Sequence, residues 1–200
     1  MRRFGLIAAV PVAALLFAGS VAAQDATPAP EGGASGRVVS AKDCTGEPMA
    51  ADAVMSAATT KPGEVPYKVT IPLGPALNAD ARGTVSDTIH AFIACLNAND
   101  NARAANLLTP TGVFVVFGPI ASNPQAASNF KEGLSKQATP RPDAQALRLL
   151  TTTDVVDLGN NYVAALVTIN DPSALPRGPQ TLLFVLHNDN GAYKIDNVVG

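Results

Sequence analysis

The side chains best suited to chemistry in this 200-residue chain are two cysteines, Cys44 and Cys95, and two histidines, His90 and His187. Two of each leave too few soft ligands for a closed Cys/His zinc site. The sequence also contains no calcium-binding loop, nucleophile elbow, phosphate-binding loop or dinucleotide fingerprint. We therefore expect neither a metal nor a cofactor.

The two cysteines are predicted to form a disulfide. Two are the minimum for one bridge, and an exported chain meets an oxidising environment. Joining Cys44 to Cys95 closes a loop of about 50 residues and contributes on the order of 4 kcal/mol in the chain-entropy model. On a helical wheel Cys95 lies at the edge of an apolar face, where the preceding segment can reach it. Two buried free thiols or a catalytic cysteine are the alternatives.

The histidines and aspartates are expected near the surface. His90 lies about 120° from the apolar centre of its predicted helix, and His187 ends a predicted strand just before a polar turn. Strand alternation places Asp196 on the face opposite Tyr193 and Ile195, which should point inward. Asp196 is therefore predicted to be a surface charge, and either histidine is a candidate general base only if it points into a cavity.

The helices and strands that would position these residues belong to a chain whose length allows one domain and a tail. Hydrophobic residues make up 47% and charged residues 15%, against about 25% charged in an average protein. The net charge is −2, with no Lys/Arg cluster after residue 3. Because phosphate binding requires such clusters, the composition disfavours a nucleic-acid partner.

Residues 1–23 have the pattern of a signal peptide. Arg2 and Arg3 form a positive start, residues 4–17 are apolar, and small residues precede a cleavage site between Ala23 and Gln24. The apolar run is short for a membrane span, which needs about 20 residues; an uncleaved anchor is the alternative. Cleavage removes two arginines and no acid, so the net charge changes from −2 to −4. The predicted location is secreted, periplasmic or cell-envelope, with no membrane span in the mature chain.

Two segments separate the leader from the predicted domain. Residues 24–36 are rich in Ala, Pro, Gly and Ser and are predicted to be a disordered linker. Residues 37–83 carry five prolines after residue 47 and are predicted to be an arm that packs on the domain, with edge strands and turns but no long helix.

Helical signals dominate the next region. Thr84–Asn97 is predicted to be a helix because Val85, Ile89 and Phe92 begin an apolar stripe at helical spacing, with Thr84 and Asp87 resembling a capping box. Shorter helices are predicted at residues 101–108 and 125–137. Residues 112–117 form an apolar run that could be a strand, which periodicity alone does not settle.

Strand signals dominate after Pro142. They cover residues 146–158, 162–169, 180–187 and 192–199, and short polar turns between most of them favour antiparallel hairpins. The run at residues 181–186 is apolar at successive positions, so both faces of that strand should be covered. The sequence therefore predicts an α+β domain.

Two segments carry a family resemblance. Residues 92–100 (FIACLNAND) followed by 103–108 (RAANLL), and residues 191–196 (GAYKID), resemble nuclear transport factor 2-like, or SnoaL-like, domains of exported bacterial-type proteins. Tyr193 stands where that family often has Trp. The resemblance covers about residues 84–200 and implies a cystatin-like cone fold, in which N-terminal helices pack in a strongly curved antiparallel sheet.

The resemblance also implies a cavity and a range of functions. Residues that would line the cavity are Phe92, Leu96, Phe114, Phe184 and Tyr193, although such residues also form ordinary cores. The expected function is a noncatalytic module that binds a small apolar ligand or a protein partner, with a homodimer formed through the sheets. The alternatives are a cofactor-free SnoaL-like enzyme of the isomerase, dehydratase or cyclase type, using His90 or His187 for proton transfer, and an accessory domain whose own side chains fill the cavity.

Overall fold

The computed structural model describes residues 37–64, 66–67, 74–174 and 178–200. The predicted signal peptide, its cleavage site at Ala23 and Gln24, and the predicted linker lie outside these residues. The described part confirms the α+β class, with five α-helices and a five-stranded antiparallel sheet. The elements are β1 (Arg37–Val38), α1 (Ala51–Thr59), α2 (Ala79–Asn97), α3 (Asn101–Asn106), α4 (Pro110–Ala121), α5 (Pro124–Leu134), β2 (Arg148–Gly159), β3 (Tyr162–Asn170), β4 (Pro179–Asp189) and β5 (Ala192–Val199).

The sheet is a meander in which each strand pairs with the next, in the order β1-β2-β3-β4-β5. Two hairpins have two-residue loops whose residues all have positive φ, as in a type I′ turn. Asn160 and Asn161 have φ of 53° and 65°, and Asn190 and Gly191 have 54° and 92°. These residue types tolerate the left-handed region, which explains why the turn positions were predictable.

Helix α2 begins at Ala79, five residues before the predicted start at Thr84. Its cap is Asn78, whose side chain accepts a hydrogen bond from the Ala81 backbone N–H at 2.9 Å. The Thr84 hydroxyl instead donates to the Asp80 carbonyl inside the helix. The capping-box prediction was therefore wrong, because an Asn cap one and a half turns earlier starts the helix.

Residues 112–117 belong to helix α4 and not to a strand. Thr109 caps the helix and Pro110 occupies its first turn, which is the favoured place for proline. Gly112 brings this turn against β5: a Cβ at that position would lie 2.2 Å from the Ile195 carbonyl oxygen. Only glycine permits this approach, so the apolar run packs on the sheet as a helix.

Helix α1 lies between Pro48 and Pro62 in the proline-rich arm, where no helix was predicted. It packs on α4, and a Cβ added at Gly118 would lie 3.2 Å from the Ala58 carbonyl oxygen. The nine residues of α1 include four alanines, which favour a helix and allow the two backbones to approach closely.

The core lies between the helices and one face of the sheet, which we call the inner face. Its largest fully buried side chains include Ile89, Ile93, Leu186 and Ile195. On the opposite, outer face, Val185 pairs with Ala164, and both are fully buried. The centre of β4 is thus covered on both sides, as its continuous apolar run predicted.

Candidate functional site

The predicted disulfide is confirmed: Cys44 is bonded to Cys95, with the two Cα atoms 4.5 Å apart. Cys95 is fully buried in α2, whereas Cys44 lies in the arm, directly after a 3-10 turn at Ala41–Asp43. The bridge therefore fastens the arm to the longest helix. Its presence is compatible with an oxidising compartment.

His90 is held at the surface beside this bridge. Its Nε2 atom lies 3.0 Å from Asp43 Oδ2, and the two side chains are 43% and 50% exposed. Each residue is a short distance along the chain from one cysteine of the disulfide. Because both partners are half in water, the pair has no desolvated environment that would favour proton-transfer chemistry.

Asn97 is a buried polar residue that the sequence analysis missed. It is 2% exposed, and its Nδ2 donates to the Val39 and Leu147 carbonyls at 2.9 and 3.0 Å. Its Oδ1 accepts from the Leu147 N–H at 2.8 Å. A polar residue ending the apolar stripe of α2 was the available signal. The amide joins the arm, α2 and the chain entering β2, which is a structural role.

The prediction that Asp196 is a surface charge was wrong, because Asp196 is only 3% exposed. A bulge in β5 explains its position: Leu186 pairs with Ile195, but Val185 pairs with Asn197, so Asp196 has no partner in the ladder. Ile195 and Val198 both pack in the core, which places Asp196 and Asn197 together on the outer face. Strand alternation predicted the correct face for Asp196, but residues from elsewhere in the chain bury its side chain.

Two hydroxyl groups surround the Asp196 carboxylate. Thr109 Oγ1 donates to Oδ1 at 2.5 Å, and the Tyr67 phenol donates to Oδ2 at 3.1 Å. The same Thr109 oxygen accepts from the Gly112 N–H at 3.1 Å, where it caps α4. The carboxylate therefore joins the arm, the start of α4 and β5, and each of its oxygens has a hydroxyl partner.

Burial raises the pKa of Tyr67 to about 12, since the charged phenolate would lose hydration. A hydrogen bond from Asn197 opposes this effect, and the Asp196 charge adds to it. Burial and the Asp196 charge also raise the pKa of Tyr162. Both phenols stay protonated at neutral pH, so Tyr67 remains a donor to Asp196.

His187 completes a row of rings on the outer face. The Tyr67 and Tyr162 ring centroids are 4.7 Å apart, and those of Tyr162 and His187 are 4.8 Å apart. Within the described part of the chain no hydrogen bond links His187 to Asp196. The row brings a histidine, two phenols and a carboxylate to one region, but the carboxylate is already engaged by Tyr67 and Thr109.

The five predicted cavity residues have different environments. Phe92 and Phe184 lie in the core with their rings edge to face, 6.4 Å between centroids. Leu96 is partly buried against the core and Phe114 is half-buried. Tyr193, which is 9% exposed, lines a surface cleft of about 270 Å³ together with Leu77, Val163 and the hairpin-turn residues.

Two of the larger surface clefts have different linings. One of about 530 Å³ is lined by Cys44, Asp100, Arg103 and Lys136, among others. Its cations lie in ion pairs, Arg103 with Asp100 and Lys136 with Glu132, so an anionic ligand would compete with these carboxylates. The other, of about 500 Å³, lies between the start of α2 and the middle of β2.

Over the described ranges, no three His, Cys, Asp or Glu side chains cluster closely enough to hold a metal ion. No helix within these ranges is both long and apolar enough to cross a membrane. Compared with known proteins, the chain matches no family model, no curated protein and no solved structure.

Proposed function

We propose that this chain is an exported, noncatalytic module of the nuclear transport factor 2-like type, which binds a protein partner at its surface. The filled interior carries this proposal. The space between helices and sheet is occupied by the chain's own large side chains, among them Ile89, Ile93, Leu108, Leu186 and Ile195, each at most 2% exposed. A binding function would therefore use the surface of the protein and not its interior.

A small apolar ligand is less well supported than a protein. The cleft beside Tyr193 has a volume of about 270 Å³, below the roughly 300–1,000 Å³ of typical ligand pockets. It is bordered by the polar residues Asn160, Asn161 and Asn188, which would remain in contact with water. The clefts of about 530 and 500 Å³ are open to solvent and would leave much of an apolar ligand in contact with water.

The enzyme alternative is also weaker. A general base needs a partly desolvated site beside a substrate, whereas His90 is paired with Asp43 at the surface. His187 packs beside Tyr162 with the two rings tilted, and each oxygen of the nearby Asp196 carboxylate already accepts a hydrogen bond from a hydroxyl group. Export is supported by the Cys44–Cys95 bridge, since such bonds persist mainly outside the reducing cytosol.

Native mass spectrometry of the chain purified from its own host tests the proposal. We expect a chain beginning at Gln24, with the disulfide intact, in a complex whose added mass is that of a protein. A double variant, His90→Ala with His187→Ala, should retain the same complex. A complex carrying only a lipid or metabolite, or a chain with no added mass, would contradict the proposal. The same spectrum reports whether the chain forms a homodimer.

A further inference from the structure

The loop between β4 and β5 contains the one asparagine of the sequence that is followed by glycine, Asn190. The side chain of such an asparagine can react with the backbone nitrogen of the next residue, because glycine has no side chain to obstruct the approach. Asn190 and Gly191 are both exposed, as are their neighbours Asp189 and Ala192. The loop is therefore accessible to water, which is the only co-reactant that this chemistry requires.

The reaction available to this pair is deamidation. The backbone nitrogen of Gly191 loses its proton to solvent and bonds to Cγ of Asn190. The bond between Cγ and Nδ2 breaks, and Nδ2 takes up a proton and leaves as ammonia. One water molecule then opens the resulting cyclic imide at either of its two carbonyl carbons. The products are aspartate and isoaspartate at position 190, and no group is oxidised or reduced.

Two hydrogen bonds hold the reacting groups in the folded loop. The Gly191 N–H, whose nitrogen is the nucleophile, donates to Asn188 Oδ1 at 2.7 Å. Asn190 Nδ2, the leaving group, donates to Asp189 Oδ1 at 3.0 Å. The nucleophile must lose its proton and bond to Cγ, so its hydrogen bond to Asn188 must break first. The reaction therefore requires a local opening of the loop.

The loop between β2 and β3 provides a comparison within the same chain. Its residues Asn160 and Asn161 also have positive φ and are also exposed. The residues that follow them are Asn161 and Tyr162, whose side chains obstruct the approach of the attacking nitrogen. Two loops of the same length and turn type thus differ in the residue that supplies the nucleophile, and only the β4–β5 loop supplies it from glycine.

We propose that Asn190 is a site of spontaneous deamidation, and that Asn188 slows the reaction by holding the Gly191 N–H. The proposal goes beyond the proposed function and does not depend on it, because the reaction requires no partner. Asn188 acts on the nucleophile and supplies no group to the product. Its role is to lower the fraction of time in which the Gly191 nitrogen is free to react.

The isoaspartate product alters the end of the sheet. Its main chain runs through the former side chain and contains one additional carbon atom, so it no longer matches a two-residue turn. Asp189 and Ala192 form the last pair of the β4–β5 ladder, and Asn188 pairs with Tyr193 before them. These pairs should open more readily in the product. Tyr193 lines the cleft of about 270 Å³, so the modification also affects the wall of this cleft.

Peptide mapping of the full mature chain by mass spectrometry tests the proposal. After incubation at neutral and at mildly alkaline pH, Asn190 should be the first asparagine to gain about 1 Da. The rate should rise with pH, because the nucleophile must lose a proton, and should rise further in urea, which opens the loop. Asn160 and Asn161 should remain unmodified over the same period. Hydrogen exchange at residues 188–193 should be faster in the separated isoaspartate form than in the parent.

Two variants of Asn188 test its protective role. Asn188→Ala removes the acceptor and should speed deamidation of the folded chain about threefold to tenfold, the effect of losing one hydrogen bond. In urea, where the loop is open in both proteins, the variant and the parent should react at the same rate. Asn188→Asp keeps an oxygen that can accept the Gly191 N–H, so it should react no faster than the parent. A general loosening of the loop would instead accelerate both variants.

A variant of the other loop tests the role of glycine. Asn161→Gly gives the β2–β3 loop the same two residue types as the β4–β5 loop, and glycine suits the second position of such a turn. Asn160 should then become modified in the same sample as Asn190. Asn190→Gln should remove the first modification, because a glutamine side chain has to close a larger and less favourable ring.

Other results would overturn the inference. Modification of a different asparagine before Asn190 would place the reactive site elsewhere. Equal rates for Asn188→Ala and the parent would show that the hydrogen bond to Gly191 does not control the reaction, and so would equal rates in the folded chain and in urea. An unmodified Asn160 in Asn161→Gly would show that glycine is not the deciding residue. None of these measurements involves a partner, so the proposed function stands or fails separately.

Discussion

The β2 and β5 strands of the sheet are both partly covered by short segments from elsewhere in the chain. At β5, the turn between α3 and α4 runs beside the strand: Ile195 N donates to Leu107 O and Thr109 N to Ile195 O, each at 2.9 Å. Thr109 then caps α4 and donates to the buried Asp196. At β2, the middle of the strand faces a cleft lined by small side chains. Leu77 N also donates to Val155 O and Asp157 N to Pro75 O, so both strands use backbone groups for folding, but only the segment beside β5 also contacts a buried carboxylate.

The contrast extends to glycine. Gly112, beside β5, lies where a Cβ would approach the Ile195 carbonyl oxygen to 2.2 Å, whereas a Cβ at Gly83, in the cleft beside β2, would meet no described atom within 4 Å. The same residue type therefore permits close packing in one place and leaves a cleft in the other.

Removing the disulfide should have the largest effect on this comparison, because it anchors the arm that carries β1. Cys44→Ser with Cys95→Ser releases a cross-link spanning 51 positions and should lower the free energy of unfolding by about 4 kcal/mol. Urea titration of the parent, with and without reductant, provides the control. An unchanged unfolding midpoint would show that the arm is held without the bridge.

Gly112→Ala should have the next largest effect. The added methyl group overlaps the β5 backbone and should cost about 3 kcal/mol or more, since backbone must move to relieve the contact. The matched variant Gly83→Ala should stabilise α2 by about 0.5–1 kcal/mol. Thermal unfolding of both measures the difference; equal effects would mean that the two edges are not packed differently.

Alkaline pH should weaken the contacts around Asp196 in β5 through Tyr67. Its pKa is raised from the ordinary 10 to about 12 in the folded chain, so the protonated phenol is favoured by folding. This contribution is complete below pH 10 and is lost as the pH rises from 10 to 12. Thermal unfolding should therefore shift downward across this window, with tyrosinate formation followed by ultraviolet absorbance.

Tyr67→Phe is the control for the alkaline effect. It removes the hydrogen bond to Asp196 at every pH and should flatten the decline between pH 10 and 12. The decline will not vanish completely, because the pKa of Tyr162 is also raised. An equally steep decline in the variant would assign the pH dependence to other groups.

Local patterns predicted much of the fold because their physical causes lie within a few residues. The turns at Asn160–Asn161 and Asn190–Gly191 contain residues that accept positive φ, and β5 has the predicted bounds, Ala192–Val199. The apolar run in β4 indicated burial on both faces. The disulfide required only two cysteines and an oxidising compartment, together with a helical face accessible to the arm.

The candidate sites were harder to predict because they depend on contacts between distant segments. Asp196 and Tyr67 are 129 positions apart, and alternation cannot reveal that a tyrosine of the arm covers an outer-face carboxylate. Asn97 likewise bonds to carbonyls 58 and 50 positions away. A polar residue in an apolar context was the signal at both sites, but its partners were not visible in the sequence.

By itself, the amino-acid sequence determined the α+β class, the order of the strands' hairpins and the pairing of Cys44 with Cys95, since these follow from periodicity, turn chemistry and a single possible bridge. Only the tertiary structure decided that residues 112–117 are helical, that Asp196 is buried, and that a helix forms in the proline-rich arm. A short apolar run can form a helix or a strand at similar free energy, and packing against distant segments selects between the two conformations.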